Sequence, residues 1–235
     1  MLSSISKPYK ALIFGSTGGI GQAICSRLEN DPDCAQVIGL SRKTDPAIDL
    51  TDPTSLEQAA EFVRQKHDEI DALIVATGVL MTNDGSGPEK AFSQIDADYS
   101  HQQFAINAIG PALVFKHFMP LLGRKGRKLV ATLSARVGSI GDNGLGGWIS
   151  YRASKAALNQ ITHTAAIELS RKNKESVCVA LHPGTIETDL SRPLANGNFT
   201  HTPDECAENL LTVLNNLKPE QTGGFFDYSG ESIVW

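Results

Sequence analysis

Tyr151-Arg152-Ala153-Ser154-Lys155, together with the upstream Ser134, are the residues of this chain whose types and spacing suit chemistry. A tyrosine and a lysine four apart share one face of a helix. A tyrosine hydroxyl ionises near pH ~10 and so keeps its proton at neutral pH. A neighbouring ammonium favours the phenolate and lowers that value. Such a pair can exchange a proton with a carbonyl or alcohol oxygen near neutral pH. The spacing alone is common on helix surfaces, where it marks a solvated pair. The elements around it decide between the two readings.

The first such element lies near the start of the chain. Ala11-Leu12-Ile13-Phe14 is a short apolar run that suits a buried strand. Gly15-Ser16-Thr17-Gly18-Gly19-Ile20-Gly21 follows, and apolar residues then recur at helical spacing at Ile20, Ile24 and Leu28. The order is strand, glycine turn, helix. Glycines at 15, 19 and 21 let the backbone approach a pyrophosphate, and the free N–H groups of a helix start attract anions. A ligand-free turn is the plain alternative, and the flanking strand and helix argue against it.

Farther along, strand-like and helical patterns alternate. Strands are predicted at 11–14, 37–40, 71–76, 128–133, 177–181 and 225–227. Helices are predicted at 19–30, 54–66, 102–122, 154–171 and 203–217. Asp52-Pro53 suits the cap and first turn of the second helix. Thr202-Pro203, with Glu205, does the same for the last. The alternation predicts an α/β fold, a single doubly wound parallel sheet with helices on both faces. No repeat or linker divides residues 1–235, so one domain is expected.

With 235 residues, 41% hydrophobic and 20% charged, the chain suits a soluble globular domain. A net charge of −5 argues against a nucleic-acid surface. Residues 1–10 lack the apolar segment of a signal peptide, and no membrane span is expected. Cys25, Cys34, Cys178 and Cys206 show no paired spacing and read as reduced thiols of a cytoplasmic protein. With the six histidines they form no metal pattern. His182, before Pro183, reads as structural.

The glycine pattern and the Ser134, Tyr151, Lys155 set resemble the short-chain dehydrogenase/reductase family along the whole chain. Leu129-Val130-Ala131-Thr132-Leu133-Ser134 is similar to its strand ending in serine. Asn107-Ala108-Ile109-Gly110-Pro111 resembles its Asn-x-x-Gly-Pro motif, and Pro183-Gly184-Thr185-Ile186-Glu187-Thr188 its Pro-Gly-x-x-x-Thr segment. Asp49-Leu50 resembles its adenine site. The stretch 134–143 and the tail 224–230 are similar to the C-factor branch and to sniffer-type carbonyl reductases. Two departures stand out. Phe14 replaces the usual threonine, and Val75-Ala76-Thr77-Gly78 replaces Asn-Asn-Ala-Gly. The interval from Ser134 to Tyr151 is also longer than usual, which the glycines of residues 138–147 can absorb.

The resemblance implies hydride transfer between a nicotinamide and a carbonyl or alcohol. Tyr151 would donate the proton, Ser134 would hold the substrate oxygen, and Lys155 would lower the tyrosine pKa and bind the nicotinamide ribose. Asn107 would anchor a water of the proton relay, and Thr188 would hold the carboxamide. Thr77 and Gly78 would join Gly15, Ser16, Thr17, Gly19, Ile20, Gly21, Pro183, Gly184, Thr185 and Ile186 along the cofactor. After the second strand, Ser41-Arg42 offers a cation and no acid, which points to NADP, with NADPH preferred over NADH. Asp49 and Leu50 would meet the adenine.

The substrate expected is an aldehyde or ketone of modest size. Trp148, Ile149, Val137, Leu190, Leu194 and Phe199 are candidates for its pocket. Residues 189–202, with Pro193, Asn196 and Gly197, suit a mobile lid. Helices at 102–122 and 154–171 are expected to pair subunits into a homodimer or homotetramer, using His117, Phe118, Ala156, Ala157, Gln160 and Thr164. Two rivals remain. One is an NADP-binding signalling or redox-sensing protein with little turnover. The other is an enzyme acting on nucleotide sugars, for which the short stretch after Pro183 leaves no sugar domain.

Overall fold

All six apolar runs predicted as strands form parallel strands, with ends shifted by at most three residues. The computed structural model describes residues 1–81, 87–195 and 197–235. The strands are β1 (Tyr9–Phe14), β2 (Cys34–Leu40), β3 (Ala72–Val75), β4 (Leu129–Leu133), β5 (Val177–His182) and β6 (Phe225–Asp227). Their order in the sheet is β2-β1-β3-β4-β5-β6. An edge strand would follow β2 in the doubly wound order. Here it is reduced to a single parallel bridge between Ser41 and Ala47.

Alternation along each strand separates two cores. Ala11, Ile13, Ala72 and Ile74 face α1 (Gly19–Glu29) and α7 (Pro203–Asn216), where Ile24, Leu28, Leu210 and Leu214 complete one cluster. Leu12, Phe14, Leu73 and Val75 face the other way. They meet Leu56 and Val63 of α2 (Pro53–Lys66), Val114 and Phe118 of α4 (Gly110–Phe118), and Ala165 and Leu169 of α5 (Ile149–Lys172). Phe14 is fully buried, and its ring meets Phe118 edge-on at 4.8 Å. The aromatic residue that replaces threonine therefore fastens α4 to the sheet. Phe118 belongs to this core, so its expected place on a subunit surface is corrected.

Capping follows the sequence signals. The Asp52 side chain accepts from Thr54 N at 2.9 Å. Thr202 and Glu205 cap each other's backbone at the start of α7.

The predicted helix 102–122 is not one helix. It begins earlier, as α3 (Ala97–Phe104), where Asp96 accepts from Tyr99 N at 2.7 Å. It then widens into a π turn at Ala105–Ile109, continues as α4, and ends in a 3₁₀ turn at Met119–Leu121. Pro111 lacks the N–H that would close on the Asn107 carbonyl, which favours the break. The 25 residues Ala97–Leu121 are long and apolar enough to match a bilayer span. Their apolarity has another use, since Val114, Phe115, Phe118 and Leu121 are buried in the core.

Residues 189–202 hold the short α6 (Arg192–Ala195), which interrupts the irregular chain expected there. Asn196 and the side chain of Leu194 lie outside the described residues.

Candidate active site

The sheet order reverses beside β1, which pairs with β2 on one side and β3 on the other. Ligands of such folds sit beyond the carboxyl ends of the strands at this switch. The glycine turn leaves β1 there, and Ala76-Thr77-Gly78 leaves β3 beside it.

Steric closeness explains the glycines. Gly15 has φ +79°, and a Cβ on it would meet the Ala76 carbonyl oxygen at 2.8 Å. One on Gly21 would meet the Gly15 oxygen at 2.1 Å, and one on Gly19 would meet Thr188 Cγ2 at 2.6 Å. Gly18, the N-cap of α1, gives no side-chain cap, and the N–H groups of Gly19, Ile20 and Gly21 have no partner among the described residues. Thr17, Gly18 and Gly19 are exposed, while Ile20 packs toward the core. Two buried hydroxyls at this turn, Ser16 Oγ and Thr77 Oγ1, have no partner among the described residues. Orphaned hydroxyls beside a free helix start fit the phosphates and ribose of a dinucleotide.

The adenine end is more open. Arg42 is exposed and makes no hydrogen bond among the described residues. Ser41 Oγ accepts from Lys43 N at 3.0 Å, so it serves its own loop. Asp49 accepts from the hydroxyl and backbone N–H of Thr51 at 2.7 and 2.8 Å. Those bonds, with Arg42 nearby, hold its carboxyl below the ordinary range. Leu50 is buried and packs close to Gly110.

Tyr151 and Lys155 lie in the first turns of α5, and Ser134 lies just past β4. All three are nearly inaccessible. Burial lowers the Lys155 ammonium to about 8. Burial, and then the Tyr99 hydroxyl, raise the Tyr151 phenol well above its ordinary value. The expected lowering by Lys155 is not what the protein alone produces. Lys155 Nζ donates to the Leu133 carbonyl at 2.9 Å and stands 5.9 Å from the Tyr151 ring centre. Tyr151 is thus a neutral phenol at pH 7.

Asn107 sits inside the π turn with its amide fully engaged. Its Oδ1 accepts from Val79 N at 2.8 Å, and its Nδ2 donates to the Val79 oxygen at 2.9 Å. The same Nδ2 lies 2.9 Å from Gln103 Oε1 and 3.2 Å from Ser154 Oγ. It therefore ties the segment after β3 to α5 where the family's asparagines are absent. A Cβ on Gly78 would lie 3.3 Å from Asn107 Oδ1 and 3.4 Å from Lys155 Nζ. Gly78 keeps that space open between them.

Pro183-Gly184-Thr185-Ile186 follows β5 and leads to Thr188, which reaches the glycine turn. Gly184 has φ +86°, Thr185 N donates to Thr200 Oγ1 at 3.0 Å, and Ile186 bridges to His201. Thr188 N donates to Ser191 Oγ at 3.3 Å, and its methyl rests on Gly19.

A cleft of about 470 Å³ opens at Tyr151. Val137, Trp148 and Leu190 line it as expected, whereas Ile149 and Phe199 do not. Leu80, Leu145, Arg136 and His182 also line it. Burial, with Arg136 beside it, lowers the His182 imidazole to about 4. His182 is therefore neutral at pH 7, and its buried Nδ1 has no partner among the described residues.

Sequence reasoning missed two supports of this site. Glu89 is buried, and its carboxylate accepts from Ser150 N at 3.2 Å and from the Ser150 hydroxyl. It caps α5, whose own N-cap, Trp148, has φ +52° and no side-chain bond. Nothing local signals this contact across 61 positions. Asn159 is the second, accepting from Ser134 Oγ at 2.5 Å. Its spacing of four from Lys155 was a usable signal.

The pattern of the short chain dehydrogenases matches residues 9–198. The chain belongs to this family and is an oxidoreductase of it. It is 31% identical over 234 residues to the 1-hydroxy-2-glutathionyl-2-methyl-3-butene dehydrogenase of Rhodococcus sp. strain AD45, covering 95% of this chain and 98% of that one. It is 36% identical over 165 residues to the C-signal of Myxococcus xanthus, covering 68% and 96%. The NADPH-bound carbonyl reductase from chicken fatty liver superposes with a TM-score of 0.81 at 25% identity, covering 99% and 97%.

Proposed function

We propose that this chain is an NADP(H)-dependent reductase that interconverts an aldehyde or ketone and its alcohol through Ser134, Tyr151, Lys155 and Asn107. One observation carries the reading: the buried Tyr151 lines a cleft whose opposite wall, through Ser191 and Thr188, reaches Gly19 of the glycine turn. Bound at that turn, NADP(H) would supply a hydride to the carbonyl carbon or take one from the alcohol. Tyr151 holds the matching proton and gives it to the carbonyl oxygen, so C=O becomes H–C–O–H. Lys155 is cationic below about pH 8 and steadies the phenolate left behind. Asn107 holds Val79 against α5 and so fixes Gly78 beside Lys155.

Arg42 supplies a cation where the 2′-phosphate of NADP would lie, with no competing acid at positions 40–43. The bound NADPH of the chicken carbonyl reductase supports this choice. Leu80, Val137, Leu145, Trp148 and Leu190 make the cleft wall largely apolar, which suits a carbonyl compound of modest size. A signalling role with little turnover is the second reading, motivated by the similarity to C-signal. The retained Ser134, Tyr151, Lys155 and Asn107 weigh against it.

The test is NADPH and NADH binding, followed by NADPH oxidation with a panel of aldehydes and ketones. Turnover that needs NADPH supports the reductase. NADPH binding without turnover on any panel member favours the second reading. Binding of neither nucleotide overturns both.

We also propose a homodimer or homotetramer joined through the exposed flank of α4 and α5. There, Phe115, Met119, Gln160, Ile161 and Thr164 line a groove of about 530 Å³. A monomeric mass in solution scattering at micromolar concentration would refute it.

A further inference from the structure

Arg136, His182 and Tyr151 line the same cleft. His182 ends β5 and pairs in register with Asp227 of β6, and Arg136 reaches over to that pair from the turn after β4. The Arg136 guanidinium is held loosely there. Its two ion pairs, to Asp142 Oδ2 and Asp227 Oδ2, are both 3.5 Å long. Closed charge-assisted bonds run to about 2.7–2.9 Å, and Arg27 makes such a fork on Asp204 at 2.8 and 2.6 Å. Asp227 has other donors, since its Oδ1 accepts from Ser229 N, Ser229 Oγ and Glu231 N at 2.9, 2.6 and 3.1 Å. The fork of Arg136 is therefore open on its cleft side.

The charge around the cleft points the same way. Arg152, a second guanidinium of its wall, donates to the carbonyls of Gly147, Val137 and Gly146 at 2.9, 3.3 and 3.1 Å. Those carbonyls satisfy its N–H groups and leave its charge, and it makes no ion pair among the described residues. Asp142 is the one carboxylate among the described residues of the lining. His182 is neutral at pH 7, and a neutral imidazole keeps one N–H to donate. With Lys155 beside Tyr151, the cations Arg136, Arg152 and Lys155 stand against the carboxylates Asp142 and Asp227, an excess that one monoanion balances.

We propose that Arg136, flanked by His182, binds a carboxylate carried by the carbonyl substrate, so that the enzyme acts on oxo acids. The proposal rests on the reductase reading above and deepens it. A planar carboxylate meets a guanidinium fork with two parallel bonds. A phosphate dianion would exceed the balance and press on Asp142 and Asp227. At about 470 Å³ the cleft has the size of a site for one small ligand. Such a molecule places its carbonyl at Tyr151 and its carboxylate at Arg136, with its apolar body against Val137, Leu145 and Leu190.

The experiment measures NADPH-dependent reduction of two matched pairs: 4-carboxybenzaldehyde with methyl 4-formylbenzoate, and 5-oxopentanoate with its methyl ester. The ratio of kcat/KM, acid over ester, is taken within each protein, so a general loss of activity cancels. In the wild type the ratio is expected to be about tenfold for at least one pair, as one charge-assisted hydrogen bond predicts. Arg136→Met should bring it within about twofold of one. Arg136→Lys keeps the charge without the fork and should fall between; it also replaces Arg136→Met should the latter not fold. His182→Phe should lower the ratio less than Arg136→Met does. An ester used as well as its acid in both pairs, or an acid preference that survives in Arg136→Met, would overturn the proposal. A wild type that reduces no member of either pair, nor any other aldehyde or ketone, overturns the reductase reading by itself. The subsite is then read from calorimetric titration with benzoate and benzamide. Benzoate bound about tenfold more tightly by wild type, and no more tightly by Arg136→Met, would support the subsite, and any other result would sink it.

Discussion

The glycine turn and the outer wall of the cleft are built by different physics. On the cofactor side, backbone touches backbone: a Cβ on Gly21 would lie 2.1 Å from the Gly15 oxygen, and one on Gly15 would lie 2.8 Å from the Ala76 oxygen. On the substrate side, the base of the loop is close-packed too, since a Cβ on Gly138 would meet the Lys155 backbone at 2.9 Å, but the tip at residues 142–146 is open and joined through side chains. Arg136 reaches Asp142 and Asp227 only at 3.5 Å, and a Cβ on Gly144 would meet nothing within 4 Å. A contact between main chains admits one residue type. A wall of side chains admits many. The turn can thus stay constant while the wall changes what it binds.

The largest expected effect tests whether turn and wall meet at Tyr151. Tyr151→Phe removes the proton donor and little else. Turnover is expected to fall by about 10²–10⁴-fold, with NADPH affinity within about threefold, read by fluorescence titration against steady-state rates. A variant that keeps a tenth of wild-type turnover would detach the chemistry from this cleft.

Next come the two glycines that stand for turn and wall. Gly21→Ala forces apart the turn at Gly15 and is expected to cost about 1–3 kcal/mol of stability by overpacking, together with most of the NADPH affinity. Gly144→Ala enters open space and should stay within about 0.5 kcal/mol of wild type. Urea midpoints of the two variants decide the matter. Equal losses would mean that the substrate wall is as tightly specified as the turn.

The same contrast explains what the sequence disclosed. Gly15, Gly19 and Gly21 are readable because a local motif needs them, and the sheet is readable because apolar runs such as Leu129–Leu133 have one place to go. The caps at Asp52 and Thr202 are written in adjacent residues. The π turn at Ala105–Ile109 escaped because its helical pattern continues on both sides, and the single clue, Pro111, also suits the first turn of a helix. Glu89 capping α5 joins positions 61 apart, and no local period encodes it. The ionisation of Tyr151 is hidden for a similar reason. Spacing shows the lysine, but only the fold shows that burial raises the phenol while Lys155 turns to the Leu133 carbonyl.

A fourth variant sharpens the comparison at the open, adenine end. Arg42 is exposed and held by no hydrogen bond among the described residues, so Arg42→Glu should leave the fold intact. A charge-assisted contact of about 1.5–3 kcal/mol would be lost. NADPH affinity should fall about ten- to a hundredfold while NADH affinity holds or rises. Calorimetric titration with both nucleotides reads this directly. An unchanged NADPH affinity would move the 2′-phosphate away from Arg42.

One effect on stability has the opposite sign, and it belongs to Lys155, beside Tyr151 on α5. Burial lowers Lys155 to about 8, whereas a lysine in the unfolded chain titrates near ~10.4. Between those values the unfolded chain binds more protons, so stability attributable to this group rises with pH across that window. Below about pH 8 the buried ammonium is a cost, offset in part by its bond to the Leu133 carbonyl. Lys155→Met removes the charge and keeps the stem. The free protein should gain about 1–2 kcal/mol at pH 7, with the gain shrinking toward pH 10, while turnover is lost. Unfolding midpoints of both proteins from pH 6 to 10 test this. A Lys155→Met protein less stable than wild type at pH 7 would mean that the bond to Leu133 outweighs the burial of charge. Lys155 would then support the fold as well as the chemistry.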